Sequence, residues 1–469
     1  MARTLKKENI ERILHEPSII KGIVIMAIPV FLNNLLKSLH DLVDAVFIAR
    51  MPVESPEVMD SALAALNIHW PIFNFFMALG IGLSIAAVSI VSQYLGAKRE
   101  DLAKSYASKL VFLSIILGLL ITGIFLLASD LVLGFNLFAY LMGARGDALI
   151  FAGEYFRIRS FEFVFVFLFL VYQAIRQASG ETLRPVLLNI SGIFVNIFLT
   201  WLFVSKLGMG IKGAAYATLI AHVIVIPLII IDLFTTKKFV KISMGEMALD
   251  KAVMKDLGRF AVPASVGQAV SSLGFVIIQS IILSYGDHVS AGFSVGNRIS
   301  SLLLNPVVAI SSIMAAYIGL NIGHHQPERA KRSYQLSRNL SLWIMVIGIS
   351  IIIPLRNPII EFIIGTSASR SFDVASEYTV WILLTQPLMA IFQSHVGLFN
   401  GAGRPHLTLR MSMVRLWAIR IPLVLILMWV LPKDMYQGIF YAMMISNLLI
   451  VFYGHYLEKQ INYEVQVRL

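Results

Sequence analysis

The chain has 469 residues, 58% of them hydrophobic and 14% charged, with no cysteine and a formal net charge of +11. Soluble domains are nearer about 45–50% apolar and about 25% charged, so this composition excludes a soluble globule and points to an all-α integral membrane protein. Zero cysteine excludes disulfides, thiolate metal sites and cysteine nucleophiles, and the positive excess gathers in alternate loops, a pattern of membrane orientation rather than nucleic-acid binding.

Residues Met1 to His15 are charged and polar and carry no signal-peptide pattern. Twelve apolar runs follow, each near the length of about 20 residues that a membrane helix needs. The first six run near Ile19–Ile48, Leu63–Val91, Leu110–Val132, Phe156–Ala178, Val186–Val204 and Ala214–Phe234. A polar, Lys-rich stretch from Thr235 to Lys255 separates them from six more, near Leu257–Tyr285, Val289–Ile322, Leu340–Leu355, Tyr378–Asn400, Leu409–Leu431 and Gln437–Leu457. The expected units are a first bundle over 1–235, a linker over 236–257 and a second bundle over 258–469. Lys and Arg concentrate at the N-terminus, in 97–109, 237–259 and 329–338, and at the Arg176/Arg184 and Arg404/Arg410 turns. Those loops, and with them both termini, are expected to be cytoplasmic, in a multi-pass protein of the cell (plasma) membrane.

The first run ends in Lys37, His40, Asp41 and Asp44, ionisable groups in a segment that should have none. A charge at the bilayer centre costs roughly 2.5–3.5 kcal/mol, so such residues usually face a water-filled path and serve an ion or substrate. Lys37 with Asp41 and His40 with Asp44 are four apart, so all share one broad helical face. The competing structural reading is a self-neutralised helix end whose long side chains snorkel to the interface.

An internal repeat supports the six-plus-six division. Residues 94–104 align without a gap on 321–331, Pro29 pairs with Pro263, and the turn at Gly180 pairs with that at Gly403. An even number of spans per repeat gives the halves one orientation, so they are expected to be two six-helix bundles related by a pseudo-two-fold axis along the membrane normal, with a cavity between them. Aligned through the prolines, Asp41 falls opposite Phe275 and Asp44 opposite Ile278. The scaffold is doubled and the acids are not, which favours a working role for Asp44.

The chain resembles the multidrug and toxic compound extrusion (MATE) transporters of the bacterial type. The resemblance is carried by Ile28-Pro29 with Leu42–Ile48, by Gln93–Ala97, by Arg176–Thr182 and by Gly210–Thr218, in that order and over nearly the whole length. It implies a secondary active transporter that exports hydrophobic or cationic drugs in exchange for protons or sodium ions by alternating access, with no other cofactor. It implies that Asp44 binds the coupling ion. Asn196 and Thr218 match two further members of the family's cation site, while Thr200 stands where a second acid is expected, and Met389 stands near the position of an acid that some members carry in the second half. One carboxylate in a cavity suits a proton more readily than a sodium ion, which needs several oxygen ligands.

The remaining polar residues of the spans are read first as partners in interhelical hydrogen bonds, each worth roughly 0.6 kcal/mol. Among them Asn33, Asn34, His40, Gln173, Gln268 and Gln279, with Met389, are candidates for the substrate cavity. Asp41, Asn196, Thr200 and Thr218 join Asp44 as candidates for ion coupling. Glu162 is expected to pair with Arg159 at the outer surface, and His222 to be a satisfied buried histidine. Arg415 and Arg420 are expected to reach lipid head groups or a vestibule. Expected partners are small hydrophobic or cationic molecules and membrane lipid, with no nucleic acid and the chain a monomer. Two other readings compete: a lipid or lipid-linked oligosaccharide flippase of the same superfamily, which would want a basic cavity, and an intramembrane prenyltransferase-like enzyme, which would want a second acidic cluster. An acidic first half suits cations better than phosphates.

Overall fold

The computed structural model describes residues 10–11, 13–49, 56–236, 240–364, 369–432 and 435–468, with the side chains of 39–46, 48–49, 56–64, 66–67 and 131 outside that description. All of the described regular structure is helical. We number the spanning helices α1 (Ile19–Ala49), α2 (Pro56–Gly96), α3 (Glu100–Leu127), α4 (Glu162–Ala178), α5 (Leu183–Lys206), α6 (Gly210–Thr235), α7 (Lys251–Leu283), α8 (Asp287–Gly323), α9 (Pro327–Ile364), α10 (Arg370–Gly401), α11 (Pro405–Val430) and α12 (Gln437–Glu458). Eleven described helices are long and apolar enough to cross a membrane. A twelfth span is a pair bent by 45°, Gly146–Ser160 followed by α4.

Several helices outrun the apolar runs that announce them. α3 starts ten residues before Leu110 and α9 extends from Pro327 to Ile364 rather than over 340–355. The extra turns carry Ser, Lys and Arg, because helical hydrogen bonding does not stop where the hydrocarbon does. The fourth span departs most: its chain breaks at Phe161, between Arg159 and Glu162.

The pseudo-two-fold axis is written in the α2–α8 crossing. A Cβ placed on Gly96 would lie 2.1 Å from the carbonyl oxygen of Leu320 and 3.0 Å from the amide nitrogen of His324. One placed on Gly323 would lie 2.1 Å from the oxygen of Gln93 and 3.0 Å from the nitrogen of Ala97. Each pair maps onto the other in the 94–104/321–331 alignment, so the contact is reciprocal, and only glycine lets the backbones approach this closely. The ends of the two helices match as well. Lys98 and His325 take left-handed φ values of 60° and 56°, and the amides of Arg99 and Gln326 return to the carbonyls of Tyr94 and Asn321 at 2.9 and 2.8 Å. Both are helix caps of one design.

Both described chain ends lie at this end of the molecule. Arg329 donates to the carbonyls of Ile13 and Glu16 at 3.0 and 2.7 Å, and the amide of Gln466 donates to Gln93 Oε1 at 2.9 Å. Arg468 pairs with Asp256 at 3.3 Å, which also accepts from Tyr106 at 3.1 Å. The tail thus runs from α12 across to α2 and α7, beside a cavity of about 240 Å³ between Tyr94, Tyr106 and Arg259. The described part of the linker, from residue 240, is tied down. Val240 and Ile242 are buried, the amide of Ser243 donates to Ser108 Oγ at 3.0 Å, and Arg176 donates to the Val240 carbonyl at 2.8 Å.

The distribution of core completes the picture. At the termini end one apolar cluster joins the two lobes, with Ile23, Ile90 and Tyr94 of the first packed among Phe260, Ala261, Ile310 and Tyr317 of the second. At the opposite end the lobes keep separate cores, one around Phe125, Phe156 and Phe163, the other around Phe293, Tyr378 and Phe440. The lobes therefore share one core at the termini end and keep separate cores at the other.

Candidate functional site

The first lobe holds a chain of polar groups across α4, α5 and α6. Asn196 Nδ2 donates to Thr218 Oγ1 at 3.0 Å, and Thr200 Oγ1 donates to Asn196 Oδ1 at 3.4 Å. Thr218 in turn donates to the Ala214 carbonyl at 3.1 Å, and its own carbonyl meets His222 Nδ1 at 2.9 Å. His222 lies 3.7 Å from Glu162, which Arg159 approaches to 2.8 Å. Arg159 stacks its guanidinium over Phe73 and Tyr155, 5.5 and 5.6 Å from the ring centroids. All three side chains singled out on α5 and α6 are buried and hydrogen-bonded to one another. α5 ends in a π-helical stretch, Trp201–Lys206, and such wide turns recur at functional sites.

The Arg159–Glu162 pair corrects an expectation. It does not sit at the outer surface, since the side chains are 13% and 4% exposed. The bend at Phe161 folds it inward beneath the aromatic cluster, and His222 is linked to it rather than satisfied by backbone alone.

α1 supplies the rest of this region. Asn189 Nδ2 donates to Asn33 Oδ1 at 2.6 Å, which pins α5 to α1, and both helices start at the termini end and run away from it. Seven residues farther along each, two helical turns or about 10 Å, the backbone level of His40 and Asp41 meets that of Asn196, and Asp44 meets that of Thr200. The side chains of His40, Asp41 and Asp44 lie outside the described residues. Lys37 Nζ sits 5.9 Å from the centroid of Phe169.

The cavity candidates divide. Asn33 is buried in its bond to Asn189, whereas Asn34 and Gln173 are half-buried. Gln177, one turn nearer the sealed end than Gln173, crosses between the lobes to the carbonyl and hydroxyl of Ser312 at 2.5 and 2.8 Å. On α7, Gln268 is exposed, and Gln279 is exposed and donates to Ser290 of α8 at 3.1 Å. Met389 is half-buried, with its sulfur 3.2 Å from Arg415. Among the described residues no group of three His, Asp or Glu stands close enough to hold a metal ion.

Two clusters escaped the sequence reading. At the termini end of the first lobe, Asp232 accepts from Arg176 Nε at 2.8 Å, Arg184 at 2.7 Å and Tyr172 at 3.0 Å, with Arg176 wholly buried. The motif that carries Arg176 is thus a structural clamp. In the second lobe Arg415 and Arg420 do not reach head groups or a vestibule. They are 4% and 3% exposed, because the π-helical turn Val414–Arg420 rotates both inward.

The MatE family model matches residues 29–202 and matches again over 263–426, together well over half of the chain. The chain belongs to this family, the MATE transporters. This MATE chain is 24% identical over 457 residues to a "Probable multidrug resistance protein YoeA" of Bacillus subtilis, covering 94% of each sequence. It is 24% identical to a "Probable multidrug resistance protein NorM" of Thermotoga maritima, covering 88% of this chain and 86% of the relative. Its fold is similar to that of a MATE transporter of the MOP superfamily solved in an outward-facing conformation, with TM-score 0.85, 24% identity and coverage of 94% and 95%. The two-lobe architecture of twelve helices expected from the repeat is therefore the architecture found, and the chain is a multi-pass membrane protein of a transporter family.

Proposed function

We propose that this MATE chain is an antiporter that exports hydrophobic or cationic drugs and toxic compounds in exchange for protons or sodium ions, by alternating access of a cleft between lobes 1–235 and 258–469. The observation that carries the reading is the split core: one cluster seals the lobes at the termini end and two separate clusters leave them parted at the other. Rocking about the cleft exchanges which end is open. The drug-resistance names of the relatives support the substrate class, and the loop charge supports termini that face the cytoplasm in the plasma membrane.

Asp44 is the proposed ion carrier, with Asp41 beside it and Asn196, Thr200 and Thr218 as neutral oxygen and amide partners. The bond from Thr200 to Asn196 leaves a neutral hydroxyl where a sodium site would want a second carboxylate, which favours a proton. For coupling, the ion must bind the two conformers unequally. Protonation of a buried acid does this by removing a charge that only the hydrated conformer accommodates cheaply.

The test is ethidium efflux from proteoliposomes of the purified chain under an imposed pH gradient or an imposed sodium gradient, wild type against Asp44→Asn. Efflux driven by protons and lost in the variant supports the reading. Drive by sodium would reassign the coupling ion, normal efflux by Asp44→Asn would remove the carrier assignment, and no ethidium movement under either gradient would sink the drug-export reading.

A further inference from the structure

The second lobe is charged where the first is neutral. Arg420 donates through Nε to Ser446 Oγ at 2.9 Å and through Nη2 to Asn447 Oδ1 at 2.5 Å. Arg415 donates through Nη1 only to the sulfur of Met389, a weak acceptor, and lies 4.1 Å from the centroid of Phe392. Its buried Nε has no hydrogen-bond partner among the described residues. Among the described residues, the charged or titratable groups close enough to act on them are Arg420 for Arg415 and the Tyr378 phenol for Arg420, with no carboxylate. Two guanidinium ions therefore stand inside a membrane bundle without a counter-ion among the described residues. Buried arginine in such a place is costly and is normally paired.

Repeat symmetry sharpens the point. Counting back from Leu202 and Ile426, where the two family matches end, Arg420 stands where Asn196 stands in the first lobe, and the Gly180–Gly403 pairing places it within one residue of that position. The second copy of the candidate cation site thus carries a cation of its own. In the same lobe Thr379 Oγ1 and Gln386 Oε1 are also buried and unpartnered among the described residues. Arg415 Nε, unpartnered among the described residues, belongs to a guanidinium whose fork geometry suits carboxylate and phosphate oxygens.

We propose that Arg415 and Arg420 form an anion site in the second lobe that receives a carboxylate or phosphate group, carried by the transported molecule. This rests on the chain's being a transporter and extends its substrate class to solutes that bear an anionic group, zwitterions included. A phospholipid head group offers the same oxygen chemistry, and the experiment separates the two sources.

The purified full chain is reconstituted in nanodiscs of phosphatidylcholine and titrated by fluorescence anisotropy with two xanthene dyes of similar shape, anionic fluorescein and cationic rhodamine 123. The wild type is expected to bind fluorescein, and Arg415→Gln and Arg420→Gln each to weaken it about 10- to 100-fold, the loss expected of a charged hydrogen bond, while rhodamine 123 binds as before or more tightly. Arg415→Lys and Arg420→Lys, which keep the charge, should retain most of the affinity. Because a glutamine variant could fail to fold, the wild type alone supplies a second measurement: benzoate displaces fluorescein and benzylammonium does not. No fluorescein binding by the wild type, equal binding by the glutamine variants, or displacement by both competitors overturns the proposal. Adding phosphatidylglycerol to the nanodiscs assigns the source, since competition with fluorescein in the wild type points to a lipid head group and no competition points to solute. Binding is read at equilibrium without transport, so a chain that binds fluorescein yet moves no ethidium would refute the drug-export reading and leave the anion site standing.

Discussion

Replacing Gly323 by alanine should loosen the sealed end of the molecule. The added Cβ would lie 2.1 Å from the carbonyl oxygen of Gln93 and 2.9 Å from its carbon, against an ordinary contact of roughly 3.4 Å or more. α8 must then back away from α2 by about 1.3 Å, and the obstacle is backbone, so no rotamer change can absorb the clash. Overpacking of this kind costs about 1–3 kcal/mol, and the cost falls only on the conformer in which the termini end is closed. The population should shift by roughly 5- to 150-fold toward the conformer open at that end. A chain without cysteine allows spin labels at chosen pairs with no background. Labels on Lys104 and Lys331, at the termini end, should move apart, and labels on Asp147 and Asp287, at the other end, should move together. Gly96→Ala should do the same, since its Cβ meets Leu320 as that of Gly323 meets Gln93. Unchanged distances in both variants would refute the seal, and a response from only one of the pair would refute the reciprocity.

Three further outcomes are expected. Asp232→Asn, or Arg176→Met, breaks a buried pair and should cost roughly 3–5 kcal/mol, read as a fall in the detergent-solubilised melting temperature, and the double variant should recover part of the loss; additive losses would mean that the two do not act as a pair. Lys98→Gly and His325→Gly remove a side chain from a left-handed backbone and should each stabilise by about 1 kcal/mol, so a drop in thermal stability would show that these side chains do more than cap a helix. Thr200→Asp restores a second acid beside Asn196 and should confer sodium-dependent protection from thermal unfolding that the wild type lacks; equal sodium response in the two proteins would argue against a cation site at this place.

Much of the fold was legible because membrane helices obey a length rule and because the repeat keeps its spacing: the alignment of 94–104 with 321–331 identified, residue for residue, the turns that later met across the pseudo-two-fold axis. The break at Phe161 was not legible, since the run over Phe156–Ala178 has neither Gly nor Pro to mark the 45° bend. Asn196, Thr200 and Thr218 could be grouped from their places in the family motif. The inward turn of Arg415 and Arg420 could not, because it depends on a π-helical stretch that changes which face each residue occupies. Arg176 was read as loop charge for a similar reason: its partner Asp232 lies 56 residues away, beyond any local pattern.

The shared core at the termini end also has a thermal consequence. Opening that end brings Phe260, Ala261, Ile310 and Tyr317, all packed against the first lobe, into contact with water. Hydration of apolar surface raises the heat capacity, so the equilibrium between the two faces of the transporter should curve with temperature, and cooling should weaken the force that keeps the termini end shut. An organism living in the cold would meet a molecule less biased toward one side than the same sequence in the warm.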